Sequence, residues 1–351
     1  MNDPTTETPN AGCCAGCCCA GAPAPDAEAA LAAVGRLTSD WTAADYVGML
    51  RVRLGFGRMT YGVPPGLYAL GRPTPESPVL VTASYKLTVD VLRRALPGRD
   101  LWLLVLDTAN VNVWCAAGKG TFGTRELVAR VAAVGLGDRV THRRLILPQL
   151  GAPGVAAHEV QRQTGFRVVY GPVRAADLPA FLDAGQTATA AMRRVQFGLR
   201  DRLAVTPVEF RQSLAPTLVL AVILTLLPAF GQHSGVGWQG AVTAGTGWLG
   251  GCLLGPALLP WLPGRAFWLK GAVLGAVLGA VLAAAGVTVG WLGGLGGVLL
   301  LTGMVSFLLM NFTGATTFTS LSGVKTELKT IPAQAGAALI GLALWSANIW
   351  L

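Results

Sequence analysis

The residue of this sequence best placed to do chemistry is Cys115, in the run Asn110-Val111-Asn112-Val113-Trp114-Cys115-Ala116-Ala117-Gly118-Lys119-Gly120-Thr121-Phe122-Gly123-Thr124. It lies beyond an apolar run, Leu101 to Asp107, that reads as a buried strand, and the intervening chain starts a short helical turn flanked by glycines. A thiol at the start of a helix, with Lys119 four residues on, is expected to have a lowered pKa and thiolate character. A packed, inert cysteine accounts for the same facts. Five more cysteines, Cys13, Cys14, Cys17, Cys18 and Cys19, crowd the front of the chain. Cys14 and Cys17 form C-x2-C, enough for two thiolates to capture a soft metal ion, but the spacing lacks the four-cysteine run of a ferredoxin cluster. A dispensable low-complexity extension fits that tail equally well.

Gly118 to Gly123 spells GxGxxG ahead of a helix, which raises a dinucleotide site. In that fingerprint the first glycine turns the chain directly at the strand end. Here about ten residues intervene after Asp107, so the match is formal. A P-loop fits worse, because Val113 stands where its first glycine belongs. The histidines His142, His158 and His233 read as surface or packing residues.

The elements that must position Cys115 follow from composition and periodicity. Hydrophobic residues make up 52% of the 351-residue chain and charged residues 13%, against about 25% charged in soluble domains. Mean hydropathy is +0.52. The deficit is uneven, because Arg265, Lys270, Lys325, Glu327 and Lys329 are all the charge that residues 214–351 carry. Four segments are expected: a disordered cysteine-rich tail (1–35), an α/β domain (36–195), an amphipathic basic linker (196–213) and a membrane domain (214–351). In the second, apolar runs at Pro78–Tyr85, Leu101–Asp107, Leu145–Leu147 and Phe166–Tyr170 read as strands. Amphipathic stretches through Val89–Leu96, Thr124–Val134, Val155–Gln163 and Ala175–Ala184 read as helices. That alternation predicts a Rossmann-like, mostly parallel, doubly wound sheet with its ligand beyond the carboxyl ends of the strands.

Residues 214–230, 240–262, 268–288, 290–311 and 331–351 are each near the roughly 20 residues that span a bilayer, so an all-α domain of five transmembrane helices is expected. Basic residues fall before the first span (Arg200, Arg202, Arg211), between the second and third (Arg265, Lys270) and between the fourth and fifth (Lys325, Lys329). The positive-inside rule then puts the N-terminal domain in the cytoplasm and the C-terminus outside the inner membrane. Nothing near the start reads as a signal peptide. Gly271, Gly275, Gly279 and Ala283 put a small-residue ridge on the third span for a neighbouring helix. No carboxylate or lysine within the spans marks an ion path. The net charge of +9 is explained by this orientation, and no basic cluster with interleaved aromatics suggests nucleic acid.

The string Asn112 to Lys119 resembles the cap-helix motif of the mercury-methylating corrinoid proteins, the HgcA family, related to the large subunit of the corrinoid iron-sulfur protein. The resemblance continues at Tyr85–Thr88, Leu147–Gly154, Tyr170–Pro172 and Phe318–Lys325, and so covers about residues 50–351. It implies a corrinoid (cobalamin-type) cofactor with Cys115 as the lower axial ligand of cobalt. A thiolate is a strong, soft donor that raises electron density at the metal and favours departure of the opposite methyl group as a carbanion. Asn112, Val113, Trp114, Ala116, Ala117, Gly118 and Lys119 would shape the cap helix beneath the ring, the small side chains allowing close approach. Thr82, Thr88, Gln149 and Gly151, in strand-end loops, would hold the cofactor's amide side chains or nucleotide tail. Phe318–Lys325 would be a cytoplasmic loop facing the corrinoid domain.

The activity implied is methyl transfer from methyl-Co(III) to Hg(II), giving methylmercury, with a methyltetrahydrofolate-type donor. A ferredoxin-like partner with two [4Fe-4S] clusters would supply electrons. Cys14 and Cys17 would gather Hg(II). The rival readings are a corrinoid methyl carrier of one-carbon metabolism of the acetyl-CoA type and a membrane sensor or transporter with a nucleotide-binding domain.

Overall fold

The computed structural model describes residues 34–230, 237–288, 290–316 and 321–350. Cys14, Cys17 and the rest of the tail, His233 and Phe318 lie outside the described residues.

The first half is a six-stranded sheet: β1 (Gly35–Leu37), β2 (Gly66–Leu70), β3 (Val79–Ala83), β4 (Leu101–Leu106), β5 (Arg144–Leu147) and β6 (Arg167–Tyr170). Its order is β1-β2-β4-β3-β5-β6, with every pairing parallel except β2 against β4. Val79–Ala83 and Leu101–Leu106 are buried at every position. Central parallel strands covered on both faces must be apolar throughout, which is why these two read so plainly. The helices are α1 (Ala43–Arg53), α2 (Lys86–Arg94), α3 (Val113–Lys119), α4 (Thr124–Ala133), α5 (Leu136–Arg139), α6 (Ala157–Thr164) and α7 (Leu178–Asp183). Phe122, Leu127 and Val160 pack on Val81 and Leu104 on one face, while Val89, Leu178 and Phe181 pack on Leu80 and Leu103 on the other.

The sequence reading missed α1, β1 and β2. Helix α1 is held by charge. Its N-terminus carries a Thr42–Asp45 capping box, and Asp45 receives Lys86 Nζ at 2.6 Å and Arg93 Nη2 at 2.7 Å. Lys86 and Arg93 also pair with Asp90, at 2.7 and 2.9 Å. Arg93 Nη1 donates to the carbonyls of Thr38 and Asp40. Four charged side chains thus fasten α1 and the entry strand to α2.

The second half comprises α8 (Leu199–Leu226), α9 (Trp238–Leu249), α10 (Gly255–Leu258), α11 (Phe267–Ala284), α12 (Gly290–Asn311), α13 (Leu321–Leu328) and α14 (Ile331–Trp350). Among the described residues, four helical stretches are long and apolar enough to cross a membrane: Leu199–Ala229, Phe267–Ala284, Gly290–Gly314 and Ser322–Ile349. The expected second span is broken by a π segment, Gly250–Leu254, between α9 and α10. Pro256 has no N–H for the Cys252 carbonyl, and Gly250 and Gly251 lower the cost of widening the turn. The segment expected as a linker is largely helix, since α8 begins at Leu199 and runs on without interruption. Leu321–Lys325, expected as a loop, is the first part of α13.

Close packing organises these helices. A Cβ added to Gly271, Gly275 or Gly279 would lie 2.6, 2.3 and 2.5 Å from backbone atoms of Val305, Leu301 and Val298, so α11 rests directly on α12. Buried charges are spent on helix ends. Arg202 Nη1 donates to the carbonyls of Pro256 and Ala257 at 3.0 and 2.7 Å, Lys270 Nζ donates to Leu259 O and Leu262 O, and the Glu327 carboxylate accepts from the Phe267 and Trp268 amides. Leu218, Val219 and Val222 of α8 face outward, as a lipid-facing surface requires.

Candidate functional site

Cys115 is placed by a short connection under tight control. Between β4 and α3 the chain passes through Ala109 and Asn110 at φ +52° and +58°, which for alanine costs about 1–2 kcal/mol. Hydrogen bonds offset this. Ser84 Oγ accepts from the amides of Thr108 and Asn110, both at 3.2 Å, and Thr108 Oγ1 donates to Val111 O at 2.7 Å. Glu126 Oε1 accepts from the Asp107 amide at 2.8 Å. Asn112 then caps α3, its Oδ1 accepting from the Cys115 amide at 2.9 Å, and Gly120 ends the helix in the left-handed conformation at φ +82°. The last two glycines of the formal GxGxxG are thus helix caps, Gly120 closing α3 and Gly123 opening α4.

The result is a cavity of about 660 Å³ beyond the carboxyl ends of β3, β4, β5 and β6, where a doubly wound sheet is expected to bind its ligand. Thr82 lines it from within β3 and Thr88 from the first turn of α2, rather than from a strand-end loop, with Asn112, Val113, Trp114 and Cys115 after β4, Pro148 and Leu150 after β5, and Pro172 after β6. Cys115 is half-buried. Its thiol pKa is raised, contrary to the expected thiolate. Burial outweighs the charges of Lys119 and Arg58 and the hydrogen bond at Asn112.

The remaining expected residues do not line the cavity. Ala116 and Ala117 are buried in the core behind α3, and Gly118 and Lys119 are exposed beyond it. Gln149–Gly154 is a 3₁₀ turn rather than an open loop. Gly151 is packed on the Phe122 ring, and a Cβ at Gly154 would fall 2.1 Å from Phe122 O and 3.1 Å from Ala117 Cα. The small residues therefore let α3, Phe122 and this turn interlock, rather than giving a ligand close approach. Gln149 Oε1 accepts from Arg193 Nη1 at 2.9 Å. His142 is held by Ser77 O and the Arg144 amide, a packing role.

Sequence reasoning missed the opposite wall. Ala204, Val205, Val208, Glu209 and Gln212 of α8 and Asn311 of α12 close the cavity from the side of the long apolar helices, and Arg53 and Arg58 enter from the end of α1 and the turn after it. Arg174 pairs with Asp201 at 2.6 Å, and Arg53 Nη1 and Arg211 Nε bridge α1 and α8 through the carbonyls of Ala204 and Leu54. The one sequence signal was the run of charged residues ahead of the first apolar stretch.

The donor set suits a corrinoid. One soft sulfur stands on the wall, Val113, Trp114 and Leu150 offer apolar cover to a macrocycle, and Thr82, Thr88 and Asn112 offer polar groups to amide side chains.

Comparison with known proteins bears on the same segment. Residues 57–182, which include Cys115 and end before α8, match the family model described as CO dehydrogenase/acetyl-CoA synthase delta subunit. The chain is 34% identical over 123 residues to the acetyl-CoA decarbonylase/synthase complex subunit gamma of Methanopyrus kandleri, covering 34% of this chain and 26% of that protein. It is 32% identical over 128 residues to the corresponding subunit of Methanothermobacter thermautotrophicus, covering 36% and 28%. With the corrinoid/iron-sulfur protein large subunit of Moorella thermoacetica it shares 30% identity over 120 residues, covering 34% and 26%. The chain spans about a quarter of the length of these relatives. The α/β domain is therefore related to proteins of the CO dehydrogenase/acetyl-CoA synthase corrinoid group, and the long apolar helices fall outside the matched segment.

Proposed function

We propose that this chain is a membrane-attached corrinoid protein that transfers methyl groups, with Cys115 as the residue that would supply a sulfur donor to cobalt. The observation that carries the reading is the half-buried Cys115 thiol on the cavity wall, within the segment related to corrinoid proteins. When bound, the corrinoid supplies a cobalt centre able to accept and release a methyl group. Cys115 Sγ would hold the metal from the sheet side. Burial favours the neutral thiol, so coordination would release its proton. Thr82, Thr88 and Asn112 would receive the cofactor's polar side chains, and Val113, Trp114, Leu150 and Val208 would exclude water. Ala116, Ala117, Gly118, Lys119, Gln149 and Gly151 would support α3 from behind.

The acceptor assigned here is Hg(II), yielding methylmercury. The resemblance of Asn112–Lys119 to the mercury methylators supports this, as does a soft sulfur ligand that favours transfer to an electrophile. The names of the relatives favour a second reading, a methyl carrier in acetyl-CoA-type metabolism. In either case the partners would be a methyltetrahydrofolate-type donor and a ferredoxin-like protein with two [4Fe-4S] clusters. Counting the broken rod from α9 to α10 with the four continuous helices retains five passes, a cytoplasmic α/β domain and an outside C-terminus.

Anaerobic reconstitution of the full chain with cobalamin tests the proposal. A cobalamin absorbance spectrum that shifts on Cys115→Ala, with methyl transfer falling at least a hundredfold, is the expected result. An unchanged spectrum would remove sulfur ligation. Methylmercury formed with Hg(II), reductant and the ferredoxin-like partner separates the first reading from the second.

A further inference from the structure

Helix α1 is inside out for a helix on a water-exposed surface. Its inward residue Asp45 is charged and held by Lys86 and Arg93, while Tyr46, Val47 and Leu50 face outward. The turn that follows adds Phe56 and Met59 to the outward set. Among described residues 34–198 the exposed large apolar side chains are Tyr46, Val47, Leu50, Phe56, Met59 and Val91, so all but Val91 fall within residues 46–59. A surface helix in water turns its apolar stripe to the core, and apolar side chains gathered on the outside mark a docking face. Leu50, Phe56 and Met59 are 57, 50 and 62% exposed, so the described chain leaves them mostly uncovered.

Contacts with α8 fix the level of this face along the long helices. Arg211 Nε donates to Leu54 O, its guanidinium lies 4.7 Å from the centre of the Phe56 ring, and a Cβ at Gly55 would lie 3.2 Å from Val208 Cγ2. Arg211 is the last Lys, Arg, Asp or Glu before Arg265. The helical stretch beyond it ends at Ala229, about 18 residues further on and so roughly 27 Å away at 1.5 Å per residue. That length matches a hydrocarbon core of about 30 Å. Arg211 therefore stands at the edge of the core, with Leu214, Leu218 and Val219 exposed below it. The Phe56 turn, held against Arg211, stands at the level of the lipid headgroups. Residues 46–63 include Arg51, Arg53 and Arg58 and no Asp or Glu, and Arg51 and Arg58 are exposed. Apolar side chains set among arginines at that level suit a negatively charged lipid surface.

We propose that Leu50, Phe56 and Met59 dip into the headgroup layer of an anionic phospholipid membrane, with Arg51 and Arg58 on its phosphates. This is a second attachment of the α/β domain besides its connection to α8. Because Arg53 and Arg58 also line the cofactor cavity, it fixes that cavity's orientation against the bilayer. The surface rests on the membrane-attached reading for the bilayer itself.

The test uses the unaltered full-length chain in nanodiscs of phosphatidylglycerol whose acyl chains carry a diazirine close to the glycerol. After illumination, lipid adducts are mapped by mass spectrometry of peptides. Adducts are expected on residues 50–59 and on 214–226 of α8, but not on α6, which leads into the amino end of β6, away from the cavity. Arg51→Glu, and separately nanodiscs of phosphatidylcholine with the same diazirine chain, are expected to lower the yield on 50–59 at least twofold with that on α8 unchanged. Adducts on α8 with none on 50–59 overturn the surface. If Phe56 and Met59 are then also protected from hydroxyl-radical oxidation, protein rather than lipid covers the face. Equal yields on 50–59 from the two lipids overturn the role of the arginines. Absence of adducts from α8 as well means that membrane attachment itself fails, a result distinct from loss of the α1 contact alone.

Discussion

One wall of the cavity is made of sheet-end turns and the other of long apolar helices, and the two are stabilised in opposite ways. On the sheet side the polar groups that build the wall are paired. Ser84, Thr108, Asn112 and Glu126 each close a hydrogen bond that fixes the path to Cys115. On the helical side the wall is apolar at Ala204, Val205 and Val208, Glu209 lies within the field of Arg58, and Gln212 and Asn311 are exposed. The sheet-side wall is thus fixed by its own hydrogen bonds, whereas the polar side chains of the helical wall are left largely to solvent. The segment matched to related proteins includes the first wall and ends before α8.

Blocking the second wall alone has the largest expected effect. Ala204→Trp places an indole in the cavity from α8 while keeping the carbonyl that Arg53 uses. If both walls enclose the cofactor, cobalamin loading falls at least tenfold at an unchanged melting temperature, read by absorbance after reconstitution. Loading equal to that of the parent would mean that the sheet-side wall binds alone.

The clamp that fastens α1 to α2 comes next. Asp45 would be raised by its burial, but hydrogen bonds from Lys86, the Thr42 amide and Arg93 outweigh this and hold its carboxyl well below the usual carboxylate range. A carboxyl depressed by folding contributes stability that is full above its unfolded value, about pH 4, and is lost as pH falls toward the folded value. Asp45→Asn is expected to cost about 2–3 kcal/mol at neutral pH, somewhat less than a fully buried pair. It should also remove part of the acid sensitivity. Amide exchange in α1 and α2, followed from pH 7 to 3.5, checks both. An equally steep acid loss in the variant would assign the sensitivity to other groups.

How much of this could be read beforehand depended on where each interaction's partners lie in the chain. Strands β3 and β4 are fully buried, so their sequences are unbroken apolar runs. Strand β2 has only five residues in an antiparallel pairing with β4, and α1 is fastened by charges over 40 residues away, so neither left a local pattern. The position of Cys115 beyond β4 was legible because strand, turn and cap are adjacent. Its protonation was not, since Lys119 is visible in the sequence whereas the burial that outweighs it comes from the folded surroundings. The expectation for Ala117 is close approach to a ligand and for Gly151 contact with the cofactor's polar groups. Both instead make room for Phe122 and the 3₁₀ turn, a contact between segments about 30 residues apart. The start of α8 was obscured because its first turns carry charges that cap and bridge other elements.

The smallest expected effect separates the two roles open to Asn112. Its Oδ1 caps α3 through the Cys115 amide, and its side chain also lines the cavity. Loss of the cap in Asn112→Ala costs about 1 kcal/mol of local stability, which appears as faster exchange of the Cys115 amide and at most a roughly fivefold weaker hold on cobalamin, since 1.4 kcal/mol is about tenfold. Asn112→Asp restores the acceptor and is as good a cap, but it lacks the amide donor. If the aspartate variant recovers both exchange and loading, Asn112 acts by orienting the first turn of α3. If it recovers exchange alone, the carboxamide N–H₂ itself meets the ligand, and the sheet-side wall contributes a polar contact beyond the sulfur it positions.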